Sequence, residues 1–195
     1  MVKSLSKIFL ILAFFIGFST LNAAKLEIDK SHSHVGFSIK HLMISNVKGE
    51  FNDYSAQIEF DTNTKVFQKL ETTIQATSID TGIEKRDNHL RSADFFDVAK
   101  FPNITFKMNS YKADGDEGIL TGDLTIHGIT KTVELEVEFN GMVKDPWGNT
   151  RAGFSIEGKI NRKDFGLTWN KALEAGGVLV GDKVKLQIEL ETHVK

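Results

Sequence analysis

The chain has 195 residues, with 24 Lys and Arg against 26 Asp and Glu and a formal net charge of −2 at pH 7. This balance argues against nucleic acid or an anionic membrane surface as a partner, because both reward clustered Lys and Arg. With no cysteine, no disulfide can form. The length predicts a single domain that buries a full core.

The first 24 residues resemble a targeting segment. Lys3 and Lys7 precede an uncharged apolar run at residues 8–18, which is too short to span a bilayer. We expect a cleaved signal peptide, about residues 1–23, with cleavage after Ala23 or Ala24, and a protein that is periplasmic or secreted. An uncleaved anchor is the alternative.

From residue 25 to residue 195 the chain reads as one β-rich domain. Apolar and polar residues alternate with period two; in residues 133–139, for example, apolar side chains alternate with glutamates. The pattern predicts about eight antiparallel strands, with two-residue turns at His127-Gly128 and Asn140-Gly141. Such strands form either a barrel or a sandwich, filled or hollow, and the periodicity does not choose.

The alternation stops within residues 78–106. About two helical turns are predicted here, with Thr81 as an N-cap and an ion pair between Asp87 and Arg91, four residues apart. Ser92 is predicted as the N-cap of a second short element that follows.

Two adjacent phenylalanines follow this helix. Phe95 and Phe96 need an apolar receptor, and Pro102 forbids further helix, so the chain returns to strand. We therefore expect a short helical plug that closes one end of a barrel.

The helical segment also holds polar groups that need an assignment. Arg86, Asp87, His89 and Ser92 include an acid, a base and a nucleophile, but neighbours on one helix seldom align as a triad. We expect no catalytic residue. These groups either tie the plug to the barrel rim, or Arg86, His89 or Arg91 also meets the polar head of a ligand, since guanidinium suits phosphate.

Histidines near the start of the domain raise the question of a metal. His32 and His34 share a face if extended, and His41 is near, but Asp29 is the only close carboxylate. Zinc sites need three or four ligands of defined geometry, so we expect no metal site.

Four ordered blocks carry a family resemblance. They are HSHVGFSIKHLMISNVKGEF at 32–51, SIDTGIEKRDNHLRSADFFDVAKFPNITF at 78–106, GDLTIHGITKTVELEVEF at 122–139 and DPWGNTRAGFSIEGKINRKDFGLTW at 145–169. Together they resemble the YceI-like family of polyisoprenoid-binding periplasmic proteins. The resemblance implies an all-β, lipocalin-like antiparallel barrel around an apolar ligand tunnel, and a homodimer.

The expected function is to bind and release a long-chain amphipathic lipid, by resemblance a polyisoprenoid of the quinone or polyprenyl phosphate type, in its transport, storage or metabolism. We expect no cofactor other than the bound lipid and no stable membrane insertion. Fatty acids or fatty amides satisfy the same wall, and two further alternatives are an enzyme acting on the lipid and a ligand-free stress-response protein whose barrel is filled by its own side chains. The expected ligand-binding residues are Phe37, Ile39, Phe60, Ile74, Arg86, His89, Arg91, Phe95, Phe96, Ile104, Phe106, Leu124, Phe139, Phe154, Phe165 and Trp169.

Overall fold

The computed structural model describes residues 23–173 and 176–195, and these form eleven β-strands and one α-helix. The strands are β1 (Ala23–Ile28), β2 (His34–His41), β3 (Ser45–Phe51), β4 (Tyr54–Asp61), β5 (Val66–Gln75), β6 (Ile79–Asp80), β7 (Asn103–Asp114), β8 (Glu117–Ile126), β9 (Ile129–Lys144), β10 (Thr150–Asn161) and β11 (Val180–Val194). Helix α1 covers Glu84–Arg91, and two 3-10 helices cover Ala76–Ser78 and Arg162–Phe165. In the described ranges no helix is long and apolar enough to cross a membrane.

Eight strands close into an antiparallel barrel, as predicted. The ring runs β1, β4, β5, β7, β8, β9, β10 and β11, and β11 returns to β1. Leu26 marks the closure, because it pairs with Ile58 of β4 on one side and Val194 of β11 on the other. A closed ring leaves no unpaired edge, which separates the barrel from the sandwich.

The strand that closes the ring is not the one expected from the alternation. The predicted first strand, β2, lies outside the ring and continues the sheet from β11 to β3 and β6. β11 is 15 residues long, so it pairs with β1 at its last residues and with β2 along the rest. β1 begins at Ala23, where the signal peptide was expected to end, while residues 1–22 of that predicted peptide lie outside the described residues.

The two predicted turns differ in outcome. His127-Gly128 forms the β8–β9 turn, with φ angles of 51° and 75° that suit a two-residue hairpin. The prediction at Asn140-Gly141 was wrong, because β9 continues through both residues. Gly141 pairs with Gly153 but Phe139 pairs with Phe154, so Asn140 is the extra residue of a β-bulge.

Helix α1 confirms the two predicted turns, but Thr81 does not cap its start as expected. The residue before the helix is Ile83, which provides no side-chain cap. Thr81 instead donates its backbone N–H and its hydroxyl to the carboxylate of Asp87. Ser92, expected to open the short element that follows, lies directly after α1. Its hydroxyl donates to the carbonyl of His89 at 2.7 Å and accepts from the backbone N–H of Asp94 at 3.4 Å.

The predicted Asp87–Arg91 ion pair was also wrong. With Asp87 bound to Thr81, the Arg91 guanidinium turns to backbone carbonyls and donates to Thr77 and Ile79 at 2.8 Å and 2.7 Å. The helix is therefore tied to the β-sheet through residues 77–81, which agrees with the expectation that these polar groups hold the plug in place.

Candidate functional site

The barrel encloses an apolar cavity of about 350 Å³. Each of its eight strands contributes wall residues, and β2, β3, α1 and the segments around α1 and after β10 complete the lining. On β4, for example, the wall residues are Tyr54, Ala56 and Ile58, because residues two apart face the same side of a strand. The barrel is hollow, a point that the periodicity left open.

An aromatic cluster closes one end of this cavity. Phe60, Phe67 and Phe154 pack together with ring centroids 4.9–5.0 Å apart, and Phe139 adds contacts at 5.3 Å and 5.4 Å. Phe60 and Phe154 are each 1% exposed. None of the four lines the cavity, whereas Ile58 does. We call this cluster the aromatic floor.

The opposite end of the cavity carries the predicted plug. His89 of α1 meets the rings of Phe95 and Trp169 edge-on at 5.1 Å and 4.9 Å, and those two rings lie 5.1 Å apart. Phe96 packs edge-on against Phe51 at 5.9 Å. Phe95 and Phe96 are therefore both packed against other rings, as expected from the free-energy cost of exposing two adjacent phenylalanines to water.

Polar groups of the lining are concentrated at the plug end. Arg86 donates from Nε and Nη2 to the hydroxyl and carbonyl oxygens of Thr81, both at 2.7 Å. The His89 imidazole lies 2.9 Å from the carboxylate of Asp94. Arg86 and His89 both line the cavity, so an amphipathic ligand would find an apolar barrel and a polar end.

A second arginine of the lining was missed from the sequence. Arg162 is 3% exposed and donates to the carbonyls of Gly181 at 2.8 Å and Trp169 at 2.9 Å. Burial lowers the pKa of its guanidinium, and the charge of Asp182 opposes that shift. The sequence offers no periodic signal for this residue, because it lies in a 3-10 turn after β10. Its bonds fix the segment that carries Trp169.

The structure brings together eleven of the sixteen predicted ligand-binding residues in the cavity wall. They are Phe37, Ile39, Ile74, Arg86, His89, Phe95, Phe96, Ile104, Phe106, Leu124 and Trp169. Wall positions that were not predicted include Tyr54, Ala56, Thr72, Leu135 and Ile156, although each lies on a strand with the same alternation. Two-residue periodicity, followed to the end of each strand, is the signal that finds them.

Five predicted residues lie outside the wall. Phe60, Phe139 and Phe154 face inward but belong to the aromatic floor. Phe165 is 1% exposed and packs in the core from its 3-10 helix. Arg91 lines a separate surface depression, because its bonds to backbone carbonyls direct it away from the cavity.

The polar set on α1 does not assemble as a catalytic triad. The Ser92 hydroxyl donates to the backbone carbonyl of His89, the imidazole of His89 meets Asp94, and the carboxylate of Asp87 is engaged by Thr81. A triad needs the base within reach of the nucleophile and oriented by the acid. These contacts hold the plug instead.

The histidines considered for a metal take separate carboxylate partners. His32 lies 3.1 Å from Asp29, and His34 lies 2.7 Å from Glu50. The donor atoms of Asp29, His32 and Glu191 do lie within 4.8 Å of one another.

The carboxylates of Asp29 and Glu191 are already paired with the guanidinium of Arg151. Arg151 Nη1 donates to Asp29 and to Glu191 at 2.6 Å each, and its Nε donates to Asp145 at 2.9 Å. The hydroxyl of Ser31 and then Arg151 hold the pKa of Asp29 well below its usual value. Burial alone would raise the pKa of Asp145, but the hydrogen bonds it accepts hold it well below its usual value. This cluster is an ion-pair network that joins Arg151 of β10 and Glu191 of β11 to the loop residues Asp29 and Asp145. The absence of a metal site stays a prediction.

Comparison with known proteins decides the family. The YceI-like domain matches residues 26–192. The chain belongs to the YceI-like family. It is 48% identical over 147 residues to protein YceI of Escherichia coli O157:H7, covering 74% of this chain and 77% of that protein. It is 47% identical over 148 residues to protein YceI of Salmonella newport, covering 75% and 78%.

Solved structures show the same fold. The Campylobacter jejuni YceI protein superposes with a TM-score of 0.71 at 44% identity, covering 86% of this chain and 96% of that one. BcnA of Burkholderia cenocepacia gives 0.73 at 24% identity, covering 85% and 99%. A polyisoprenoid binding domain from Saccharophagus degradans gives 0.63 at 15% identity, covering 89% and 99%. The last two share the fold with this YceI-like chain.

Proposed function

We propose that this YceI-like protein binds a long-chain amphipathic lipid, a polyisoprenoid of the quinone or polyprenyl phosphate type, and releases it unchanged. The observation that carries the proposal is the 350 Å³ apolar cavity whose polar lining is concentrated at one end. The polyisoprenoid binding domain that shares this fold supports the choice of ligand. The proposed mechanism is binding and release with no bond made or broken, so the proposal includes no catalysis and no cofactor beyond the bound lipid.

The volume of the cavity limits how much of a lipid it encloses. An apolar cavity of about 150 Å³ holds benzene, so by proportion the 350 Å³ here takes roughly 14 carbon atoms, about three isoprene units. Fourteen buried carbons at about 0.8 kcal/mol each give a gross driving force of about 11 kcal/mol before the ordering costs of binding. The rest of a longer chain would extend through the polar end.

The volume of the cavity also suits a second class of ligand, the fatty acids and fatty amides. A fatty acid or fatty amide of about 14 carbons fits the cavity whole. Its carboxylate or amide would meet the same polar groups at the plug end as the head group of an isoprenoid.

At the plug end, Arg86 and His89 are the proposed head-group contacts. Arg86 uses Nε and Nη2 on Thr81, and its Nη1 has no hydrogen-bond partner within the described residues. A guanidinium with free N–H groups beside an apolar cavity suits a phosphate or carboxylate. Arg91, which faces away, is not part of this proposal.

A titration with defined ligands tests the function and the head-group contact together. The ligands are farnesyl phosphate, farnesol and myristate, and the variants are Arg86→Gln and, as a matched control from the exposed face of α1, Lys85→Gln. We expect Arg86→Gln to weaken the affinity for farnesyl phosphate by about tenfold or more, since a hydrogen bond to a charged group contributes about 1.5–3 kcal/mol. Farnesol should bind both variants alike. If the wild type binds none of the three ligands, the result contradicts the proposed function.

The proposed location is the periplasm or the exterior of the cell, after cleavage of a signal peptide near residues 1–23, with the binding domain at 25–195. The basic residues Lys3 and Lys7 before an apolar run support it. Cleavage there leaves Leu26, on which the barrel closes, in the mature chain. We also propose a homodimer, on the family resemblance. The mass of the exported protein and light scattering in solution test these two points.

A further inference from the structure

The β2–β3 hairpin carries an apolar tip that no residue in ranges 23–173 and 176–195 covers. We call residues 42–44 the hairpin tip. Met43 is 58% exposed and Ile44 is 83% exposed. Leu42 and Met43 have φ angles of 52° and 61°, a conformation that bulky side chains seldom adopt. Asn-Gly would form such a turn at lower cost, so the exposed side chains of Met43 and Ile44 add no stability to the fold.

The hairpin tip stands beside the plug end of the cavity. The backbone N–H of Leu42 donates to the carbonyl of Leu179 at 2.8 Å. Leu179 and Val180 line the cavity, and so do Lys40 and His41 immediately before the tip. An apolar surface formed by Leu179 and Val180 therefore leads from the exposed tip to the cavity.

Basic side chains flank the hairpin tip. Lys40 on β2 and Lys48 on β3 are exposed, and neither forms an ion pair with a carboxylate in the part of the chain that the structure describes. The nearby carboxylate of Asp182 is engaged by Lys163 at 2.9 Å and Arg162 at 3.4 Å. The net charge of −2 disfavours anionic surfaces for the chain as a whole, but salt confines electrostatics to about 10 Å, so the local charge decides.

We propose that the hairpin tip docks the plug end of the barrel onto an anionic phospholipid bilayer. Met43 and Ile44 enter the boundary between head groups and acyl chains, and Lys40 and Lys48 meet lipid phosphates. A lipid then passes between bilayer and cavity along the apolar surface without crossing water. The purpose of docking rests on the proposed function, which is lipid binding. The docking itself does not require a ligand in the cavity.

A bilayer explains the features of this end better than a protein partner does. Lipid transfer requires the mouth of the cavity to meet the phase that holds the lipid. Exposed apolar residues bordered by lysines are the chemistry by which monotopic surfaces bind membranes. Met142, Val143 and Trp147 are exposed at the other end of the barrel, beyond the aromatic floor, and none of them lines the cavity.

Flotation with lipid vesicles tests the proposal. Vesicles of phosphatidylglycerol and phosphatidylethanolamine are compared with vesicles of phosphatidylcholine, using wild type, Ile44→Ser and the matched control Val143→Ser. We expect Ile44→Ser to lower the partition coefficient about tenfold, because it removes one apolar anchor, and Val143→Ser to change it less than about twofold. Binding should prefer the anionic vesicles and weaken between 0.1 M and 1 M salt.

The outcomes separate docking from lipid binding. Both side chains are largely exposed, so both variants should keep the thermal stability and farnesol affinity of the wild type. If the wild type binds farnesol but no vesicles, or if Val143→Ser impairs flotation as much as Ile44→Ser, the docking proposal falls and the proposed function stands. If the wild type floats with vesicles but takes up no isoprenoid or fatty acid, docking stands and the proposed function falls.

Discussion

Filling the cavity from one wall position distinguishes a hollow, ligand-binding barrel from a filled one. Ala56 lies on β4 between Tyr54 and Ile58, pairs with Thr72 of β5 and faces the cavity. In Ala56→Phe the added ring takes up as much of the cavity as the roughly 150 Å³ needed to hold a benzene, leaving room for roughly eight carbons instead of fourteen. Six lost methylene contacts at about 0.8 kcal/mol each amount to about 5 kcal/mol of binding free energy.

The assay pairs a farnesol titration with urea unfolding. The control is Gln57→Phe, which places the same ring on the exposed outer face of the same strand. We expect Ala56→Phe to bind farnesol at least 1,000-fold more weakly, in line with about 5 kcal/mol, while its unfolding free energy changes little. A loss of about 1–3 kcal/mol in stability with unchanged binding would mean an overpacked core, and would refute the hollow-barrel reasoning.

Three further changes test the parts of the fold that hold the site. Phe60→Ala removes the centre of the aromatic floor and should lower the unfolding free energy by about 3–5 kcal/mol in urea titrations; a loss under 1 kcal/mol would show that the floor is not packed. Gly128→Ala places a Cβ 2.6 Å from the ring of Phe101 at a φ of 75°, so we expect a loss of more than about 1 kcal/mol, and an unchanged melting temperature would contradict the turn. Because the pKa of Asp29 is depressed in the folded state, its contribution to stability is present above about pH 4 and is lost as the pH falls through the folded-state value. Arg151→Met should therefore be less stable than wild type at pH 7, with the difference shrinking as the pH falls below about 4 in acid unfolding curves; a constant difference would mean that the network does not act through charge.

The strands and the plug were predictable because each leaves a local signal. Alternation with period two marks a strand with one buried face, and the break at residues 78–106 marked helix α1. Closure of the ring was not predictable, because it depends on pairing β1 with β11 across nearly the whole chain. Pairing partners at that distance leave no mark in local periodicity.

The sequence predicted which side chains of the site point into the barrel, but not where along the barrel axis each one lies. Phe60, Phe139 and Phe154 face inward as expected, yet they lie in the aromatic floor, because alternation does not say how far along the barrel a residue lies. The helix posed the same problem of direction. Arg86 and Arg91 share a short helix, but only Arg86 faces the cavity.

Asn140-Gly141 shows a different limit. The residues that favour a hairpin turn also favour a β-bulge, since both need an unusual backbone angle, and Gly141 adopts a φ of 111° inside β9. The outcome depends on the partner strand β10, whose residues continue to pair beyond this point.

The central claim is that the barrel carries a lipid, and native mass spectrometry of the protein purified from bacteria tests it most directly. The measurement is the intact mass under non-denaturing conditions, followed by solvent extraction and identification of what is released. The account predicts a stoichiometric long-chain isoprenoid or acyl lipid, with uptake of added farnesyl phosphate by any empty fraction. An empty protein that also refuses added isoprenoids and fatty acids would contradict it.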